Sequence, residues 1–384
     1  MARGRGKETL RLRVKGGYLD HQVVFLVMTL TCFGILMVYS ASSHKAMVIG
    51  TTSMAIATKQ AALAGIGLVA MYIASVFNYE LFRKLSTVLM IASVSLSVLV
   101  FIIGTASHGS MRWIPLGPVQ FQPSEVAKFA IAVYVADRCV HYPSRLTDPR
   151  GVLKTLALPV ANTLLIAKEN LSTGVICFGI ALGIVFVASP KTRYTVIVMI
   201  AGAIGAFLMI KLAGYRSDRI TNWLHPEESG KGSQIMNALY AVGSGGLFGR
   251  GLGQSIEKTK LPEANNDMIF SVICEELGIF GAVCVIALFA MLVIRMNLIA
   301  RDSKDRFGGL IVSGILVQIA AQAILNMGVA TNLLPNTGMA LPFISSGGTS
   351  IIVLMAEVGV CLNVSRQGVP YEKVRIPEGR REHA

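Results

Sequence analysis

The chain is poor in charge and in aromatic rings. Of its 384 residues only 15% are charged and 7% aromatic, with two tryptophans. A soluble domain of that length needs far more polar surface, so an ordinary globular enzyme is excluded. The six cysteines are scattered and form no CxxC, which excludes a disulfide framework and a zinc ribbon. No Gly-Lys-Ser/Thr closes any glycine-rich stretch, so there is no P-loop for a nucleotide. Acidic residues are scarce, 21 against 35 Lys and Arg, and the net charge of +14 invites a nucleic-acid reading. The placement of the basic residues argues against it. They sit in short segments between apolar runs, which is how membrane topology is encoded.

What the chain has in quantity is apolar residues, 53% of the total, in long runs, with a mean hydropathy of +0.61. In hydrocarbon the backbone must satisfy its own hydrogen bonds, so each run is most simply a helix. The expected fold is all-α and polytopic, with about ten transmembrane helices near 23–41, 60–77, 85–104, 123–140, 152–168, 171–188, 193–213, 268–294, 307–330 and 341–364. The first run is too long for a usual signal-peptide core and reads as a span. The domain reading is a basic N-terminal tail over 1–22, a ten-helix unit over 23–364 and a basic C-terminal tail over 365–384.

Charge fixes the orientation. Lys and Arg crowd the N-terminal tail, Arg83-Lys84, the stretch from Arg138 to Lys154, Lys191 to Arg193, Arg295 to Arg306, and the C-terminal tail. The short loops of the other side hold only Lys45, Lys59, Arg112 and Lys168. Both termini are therefore expected in the cytoplasm. Residues 214–267 form an extracytoplasmic loop of more than fifty residues, too long for a connector. Its Arg216, Arg219, Lys231 and Arg250 suit an anion at the membrane surface.

Four stretches carry chemistry. Arg112-Trp113 precedes Gln122-Pro123-Ser124-Glu125, and Glu125 and Lys128 share a helix face. Charges at that depth are costly and turn inward, either as a structural ion pair or as a substrate contact. Gly243 to Gly253 is glycine-dense, suited to a re-entrant loop or to close backbone approach by a ligand. Leu261-Pro262-Glu263 leads to Asp267 at a helix start, as a helix cap, a general base or a metal ligand. Beyond it, Glu275 and Glu276 lie deeper, and one of them is expected to face inward on a basic partner. Finally, Asn326, Thr331 to Gly338 and Leu341 to Ser350 break helices, either around a cavity or for close packing.

Taken in order, these motifs resemble the SEDS family (shape, elongation, division and sporulation), and its FtsW and SpoVE branch more than its RodA branch. The resemblance spans nearly the whole chain: Arg112-Trp113, Phe121 to Lys128, Tyr215-Arg216 with Arg219, Gly243 to Gly253, Leu261 to Phe270, Glu275 to Gly278, and Leu341 to Ser350. It implies a peptidoglycan glycosyltransferase of the bacterial cytoplasmic membrane that polymerises lipid II on the outer face and releases undecaprenyl pyrophosphate, in division or sporulation. It also implies a class B penicillin-binding transpeptidase as partner. Asp267 is the catalytic candidate, as base or as ligand of a divalent cation (Mg or Mn). Arg112, Glu125, Lys128, Arg216, Arg219, Lys231, Arg250, Glu263, Ser345 and Ser346 are the substrate-binding candidates. A lipid II flippase and a non-catalytic scaffold are the rival classes.

The orientation has a direct test. In a background without native cysteines, an impermeant thiol reagent on intact cells is expected to label Ser229→Cys and to spare Ser144→Cys. Labelling with the opposite pattern overturns the topology.

Overall fold

A computed structural model describes residues 19–107, 110–116, 119–212, 223–227, 234–261 and 263–368. Long helices dominate it: α1 His21–Ala41, α3 Ser53–Val76, α4 Glu80–Ile103, α5 Pro123–His141, α6 Pro149–Glu169, α7 Leu171–Ala188, α8 Thr192–Leu212, α10 Ile269–Arg301, α11 Arg306–Ala330 and α12 Ser350–Gln367. Two short helices, α2 Ser43–Val48 and α9 Gln234–Ser244, lie between them. The ten long helices match the ten expected spans one for one, and the chain is a multi-pass membrane protein. Eight of the ten are long and apolar enough to cross a bilayer by composition alone. Helix α5 carries Glu125, Lys128, Asp137 and Arg138, and it buries all but Arg138 inside the bundle. The apolar stretch of α8 runs over Thr192–Gly205.

Polar caps set the helix starts. Asp20 accepts from the backbone N–H groups of Gln22 and Val23, Asp148 from Gly151, and Asp305 from Gly308. Pro123 and Pro149 occupy first helical positions, where a missing N–H costs nothing. Asn170 is the whole link between α6 and α7. It closes the first helix, and its side chain then caps the second at the backbone N–H of Thr173.

Contacts between connecting segments define two ends of the bundle. At one end Lys45 pairs with Glu263 at 3.6 Å, and Thr349 donates to the Gln120 carbonyl at 3.0 Å. At the other, Arg295 pairs with Asp20 at 2.7 Å, Arg306 donates to the Ala188 carbonyl at 2.9 Å, and Tyr79 donates its phenol proton to Asp305. Burial and that carboxylate hold the Tyr79 phenol well above its ordinary pKa. Helices α11, α12, α5 and α7 form the centre, while α4 and the second half of α10 face outward.

Beyond shifts of up to seven residues at the ends of α3, α4 and α10, the structure departs from the sequence reading at two places. Residues 105–121 hold a small antiparallel meander, β1 Thr105–Ser107, β2 Ser110–Leu116 and β3 Val119–Phe121. The last span begins at Ser350 instead of 341, because Pro342, Gly347 and Gly348 turn the chain and Phe343 takes a φ of 63°. Such a left-handed conformation in a bulky residue needs support from its surroundings.

The glycine-dense stretch docks on a break in α10. Gly278 has a φ of 67° and interrupts that helix, freeing carbonyls before it and N–H groups after it. The docked loop takes up both sets. Arg250 and Gly251 donate to the carbonyls of Glu275 and Glu276 at 3.0 and 2.9 Å. Ile279 and Phe280 donate to the carbonyls of Gly246 and Leu247 at 2.9 and 3.1 Å. The fit leaves no room at Gly249, whose φ is 77° and where a Cβ would stand 2.2 Å from the Glu276 carbonyl oxygen. Gly253, with a φ of 81°, faces open space. Gly253→Ala is thus expected to cost about 1–3 kcal/mol through φ alone. Gly249→Ala should lower the melting temperature in detergent clearly further. Equal effects of the two variants would show that the docked loop contributes no stability.

Candidate functional site

The loops at the Lys45–Glu263 end enclose a cavity of about 950 Å³. Its wall contains Asp267 and Glu125, which lie far apart in sequence. Both are buried, at 8% and 7% exposure, and both face the same space. Asp267 precedes α10, whose cap position is Met268, so its carboxylate is aimed by the turn before the helix. That turn closes through backbone donation from Asn266 and Met268 to the Glu263 carbonyl. The Asn326 amide then donates to the Asp267 carbonyl at 2.8 Å and to the Met339 carbonyl at 2.7 Å. One buried side chain therefore fixes the Asp267 turn against the 336–341 segment. Gly338, with a φ of 62°, passes close to Asp267 Oδ2.

Glu125 sits in the first turn of α5, behind Pro123. Lys128, one turn on, is fully buried and reaches both Glu125 oxygens, at 2.9 and 3.0 Å. Ser345 holds the opposite wall in place. Its hydroxyl donates to the Asn266 carbonyl at 2.6 Å and accepts from the Leu341 N–H at 2.7 Å. Gln60 donates to the Ser345 carbonyl at 3.1 Å. The Ser346 N–H donates to the Asn265 carbonyl at 2.9 Å.

The structure thus gathers Asp267, Glu125, Glu263, Ser345 and Ser346 on one cavity, with Lys128 directly behind Glu125. Arg112 lies on β2, and its neighbour Trp113 lines the cavity. Arg216, Arg219 and Lys231 fall outside the described residues. Arg250 lies apart from the cavity, its guanidinium 3.8 Å from Glu275. It stands at the exposed edge of a second cluster in which the buried Lys258 pairs with Glu276 at 3.5 Å and Ser40 donates to Glu276 at 2.7 Å. Both Glu275 and Glu276 face inward, where one had been expected. This cluster holds the glycine-dense loop to α10 and α1.

Other cavity residues had no signal in the sequence as binding groups. Lys45 and Lys59 bring positive charge to the wall, and Gln122, Asn170, Gln322 and Asn336 bring amides. Their positions at helix ends and single turns become visible only when the loops meet. Carboxylates facing a pocket rich in amides, with cations on its wall, suit binding a polyhydroxylated, anionic ligand and accepting a proton from it.

Removing one member of the buried Glu125–Lys128 pair leaves the other charge alone, at a typical cost of about 3–5 kcal/mol. Glu125→Ala and Lys128→Met are each expected to lower the detergent melting temperature. The double variant should recover part of that loss. An unchanged melting temperature in both single variants removes the structural role.

Comparison with known proteins gives a consistent picture. Residues 20–369 match the FTSW_RODA_SPOVE family model, described as "Cell cycle protein". Stage V sporulation protein E of Bacillus subtilis is 38% identical over 354 residues, covering 90% of this chain and 97% of that protein. A probable peptidoglycan glycosyltransferase FtsW of Geobacter metallireducens is 36% identical over 357 residues, covering 90% and 94%. Among solved structures, a chain from a peptidoglycan synthase complex that coordinates polymerization and crosslinking superposes with a TM-score of 0.74 at 25% identity, covering 91% and 98%. The rod shape determining protein RodA of Thermus thermophilus gives 0.64 at 25% identity, covering 91% and 97%.

Proposed function

The chain belongs to the FtsW/RodA/SpoVE family and is a peptidoglycan glycosyltransferase, and we propose that it polymerises lipid II in the cavity that joins Asp267 to Glu125. The convergence of these two carboxylates on one polar cavity carries the reading. In the proposed reaction the 4-hydroxyl of an acceptor sugar attacks C1 of a donor sugar. The anomeric centre inverts, a β-1,4 bond forms, and undecaprenyl pyrophosphate leaves. A hydroxyl is weakly acidic, so a positioned carboxylate assists, and Asp267 takes that role. Lys45 and Lys59 on the cavity wall favour the negative charge of the leaving group.

The orientation proposed from the basic segments puts the cavity at the outer face and both termini in the cytoplasm of a bacterial cell. The relative seen in a complex that couples polymerization to crosslinking supports a class B penicillin-binding transpeptidase as partner.

A divalent cation fits the same donors. Among the described residues no three His, Cys, Asp or Glu side chains converge as a cage. Mg²⁺ usually binds through one or two carboxylates plus substrate phosphates, and Asp267 with the donor's phosphate oxygens makes such a set. Bound there, the ion would supply Lewis-acid stabilisation of the leaving group.

Asp267→Asn keeps the size of the side chain and removes its charge. It is expected to fold and reach the membrane, yet to polymerise purified lipid II more than about 100-fold more slowly, with the transpeptidase present. Partial recovery in excess Mg²⁺ or Mn²⁺ marks Asp267 as a metal ligand, and no recovery marks it as the base. Near-normal polymerisation by the variant would remove Asp267 from the mechanism and return the flippase and scaffold readings.

A further inference from the structure

Two arginines at the end of the bundle opposite the cavity are held in place without a counter-ion. Helix α5 finishes at this end, and the turn Pro143–Thr147 leads from it into α6. The Ser189 hydroxyl ties that turn to the end of α7 by donating to the Leu146 carbonyl at 3.1 Å. Several basic residues here have their partners. Arg295 pairs with Asp20, Arg306 donates to the Ala188 carbonyl, and Arg83 stands 3.7 Å from Asp137. Asp137 also accepts from Ser86 at 2.8 Å and meets His141 at 3.3 Å. Arg138 and Arg145 differ, for among the described residues no carboxylate forms an ion pair with either. Neither is loose. The Arg138 guanidinium donates to Thr87 on α4 at 2.8 Å and lies over the rings of Tyr134 and Tyr142, 4.9 and 5.8 Å from their centroids. Arg145 lies over the same Tyr142 ring at 4.0 Å. One aromatic ring thus gathers two guanidiniums, one from α5 and one from the turn after it.

A guanidinium held by its face keeps the N–H donors along its edge for a ligand, and their fork matches phosphate oxygens. The surface beside the two arginines says which phosphate. Lys84, Thr87, Val88 and Ile91 share the outward side of α4 and are exposed, Val88 and Ile91 by 61% and 56%. Helix α4 starts at this end and runs toward the cavity, so Ile91 lies one turn deeper in the bilayer than Thr87, and Lys84 one turn shallower. Cations at the rim with bare aliphatic side chains below them match a charged headgroup and the chain that hangs from it. We propose that Arg138 and Arg145, with Lys84, bind the phosphodiester of an anionic phospholipid in the leaflet opposite the cavity, with an acyl chain along Val88 and Ile91. The bound headgroup joins α4, α5 and the turn into α6 at the end remote from the reaction. The site stands independently of the lipid II reading.

Native mass spectrometry of the detergent-purified full chain tests the site, with dioleoylphosphatidylglycerol and dioleoylphosphatidylcholine as probes. Both lipids carry a phosphodiester, and only the first has a net negative charge. The wild type should retain phosphatidylglycerol and lose phosphatidylcholine. Arg145 has no ion pair to break, so Arg145→Gln should keep the wild-type melting temperature while weakening the phosphatidylglycerol complex about tenfold, the usual worth of a charge-assisted hydrogen bond. Arg138→Gln combined with Arg145→Gln should abolish the complex. Arg193→Gln is the control. It removes the same charge near the same end, from a guanidinium that lies over the ring of its neighbour Tyr194 at 4.8 Å, and should leave the complex intact. Equal losses in Arg145→Gln and Arg193→Gln would show that general attraction to an anionic lipid is enough, and would overturn the site. Equal retention of the two lipids by the wild type overturns it as well. Displacement of phosphatidylglycerol by inorganic phosphate at the same concentration overturns the assignment to a lipid headgroup.

Discussion

A backbone carbonyl or N–H left bare in hydrocarbon costs several kcal/mol, and that cost decides where this chain is allowed to stop being helical. At the breaks described above, another segment takes over the lost hydrogen bonds. The break at Gly278 is answered by the loop from Gly246 to Gly251, which supplies donors to one side and acceptors to the other. The turns around Asp267 and Leu341 are tied by Asn326 and Ser345, whose side chains bond to backbone on both segments. A cavity with irregular walls exists at this end because its loops satisfy one another.

The same economy governs the charges. Among the described residues each buried glutamate has a named companion: Lys128 for Glu125, Arg250 and Ser255 for Glu275, Lys258 and Ser40 for Glu276, Gln318 for Glu357. The two clusters do different work. The one around Glu275 and Glu276 clamps a loop to a helix, whereas the Glu125–Lys128 pair stands at the wall of the polar cavity. Sequence alone grouped Arg250 with the ligand cations, since a basic residue in a glycine-rich loop looks the same whether it meets a phosphate or a buried glutamate.

Most of the fold was legible because lipid enforces a simple code. Apolar runs long enough to span became helices in every expected place, and Asp267 and Glu125 stood out as charges near apolar runs. The strands at 105–121 were hidden because they are short and carry no apolar alternation long enough to read. The apolar residues Leu341 to Ile344 look like the opening of a span, and only the hydrogen bonds that close the 341–345 turn, with Ser345 and Ser346 tying it to the Asp267 turn, show otherwise. Lys45, Lys59 and the cavity amides could not be read, because their proximity is a product of five separate connections folding onto one another.

The Asn170 link has a consequence for anyone who wishes to modify this protein. It is a single residue with no slack: its backbone finishes one helix, its side chain begins the next, and it lines the cavity. Each residue of a helix advances it by about 1.5 Å and turns it by about 100°. A spacer added here, for a fluorescent tag or an epitope, would have to leave both helices and loop out across the cavity mouth. The connection between α3 and α4 is longer and sits at the opposite end. Of these two short joints, only one is a seam in the cavity wall.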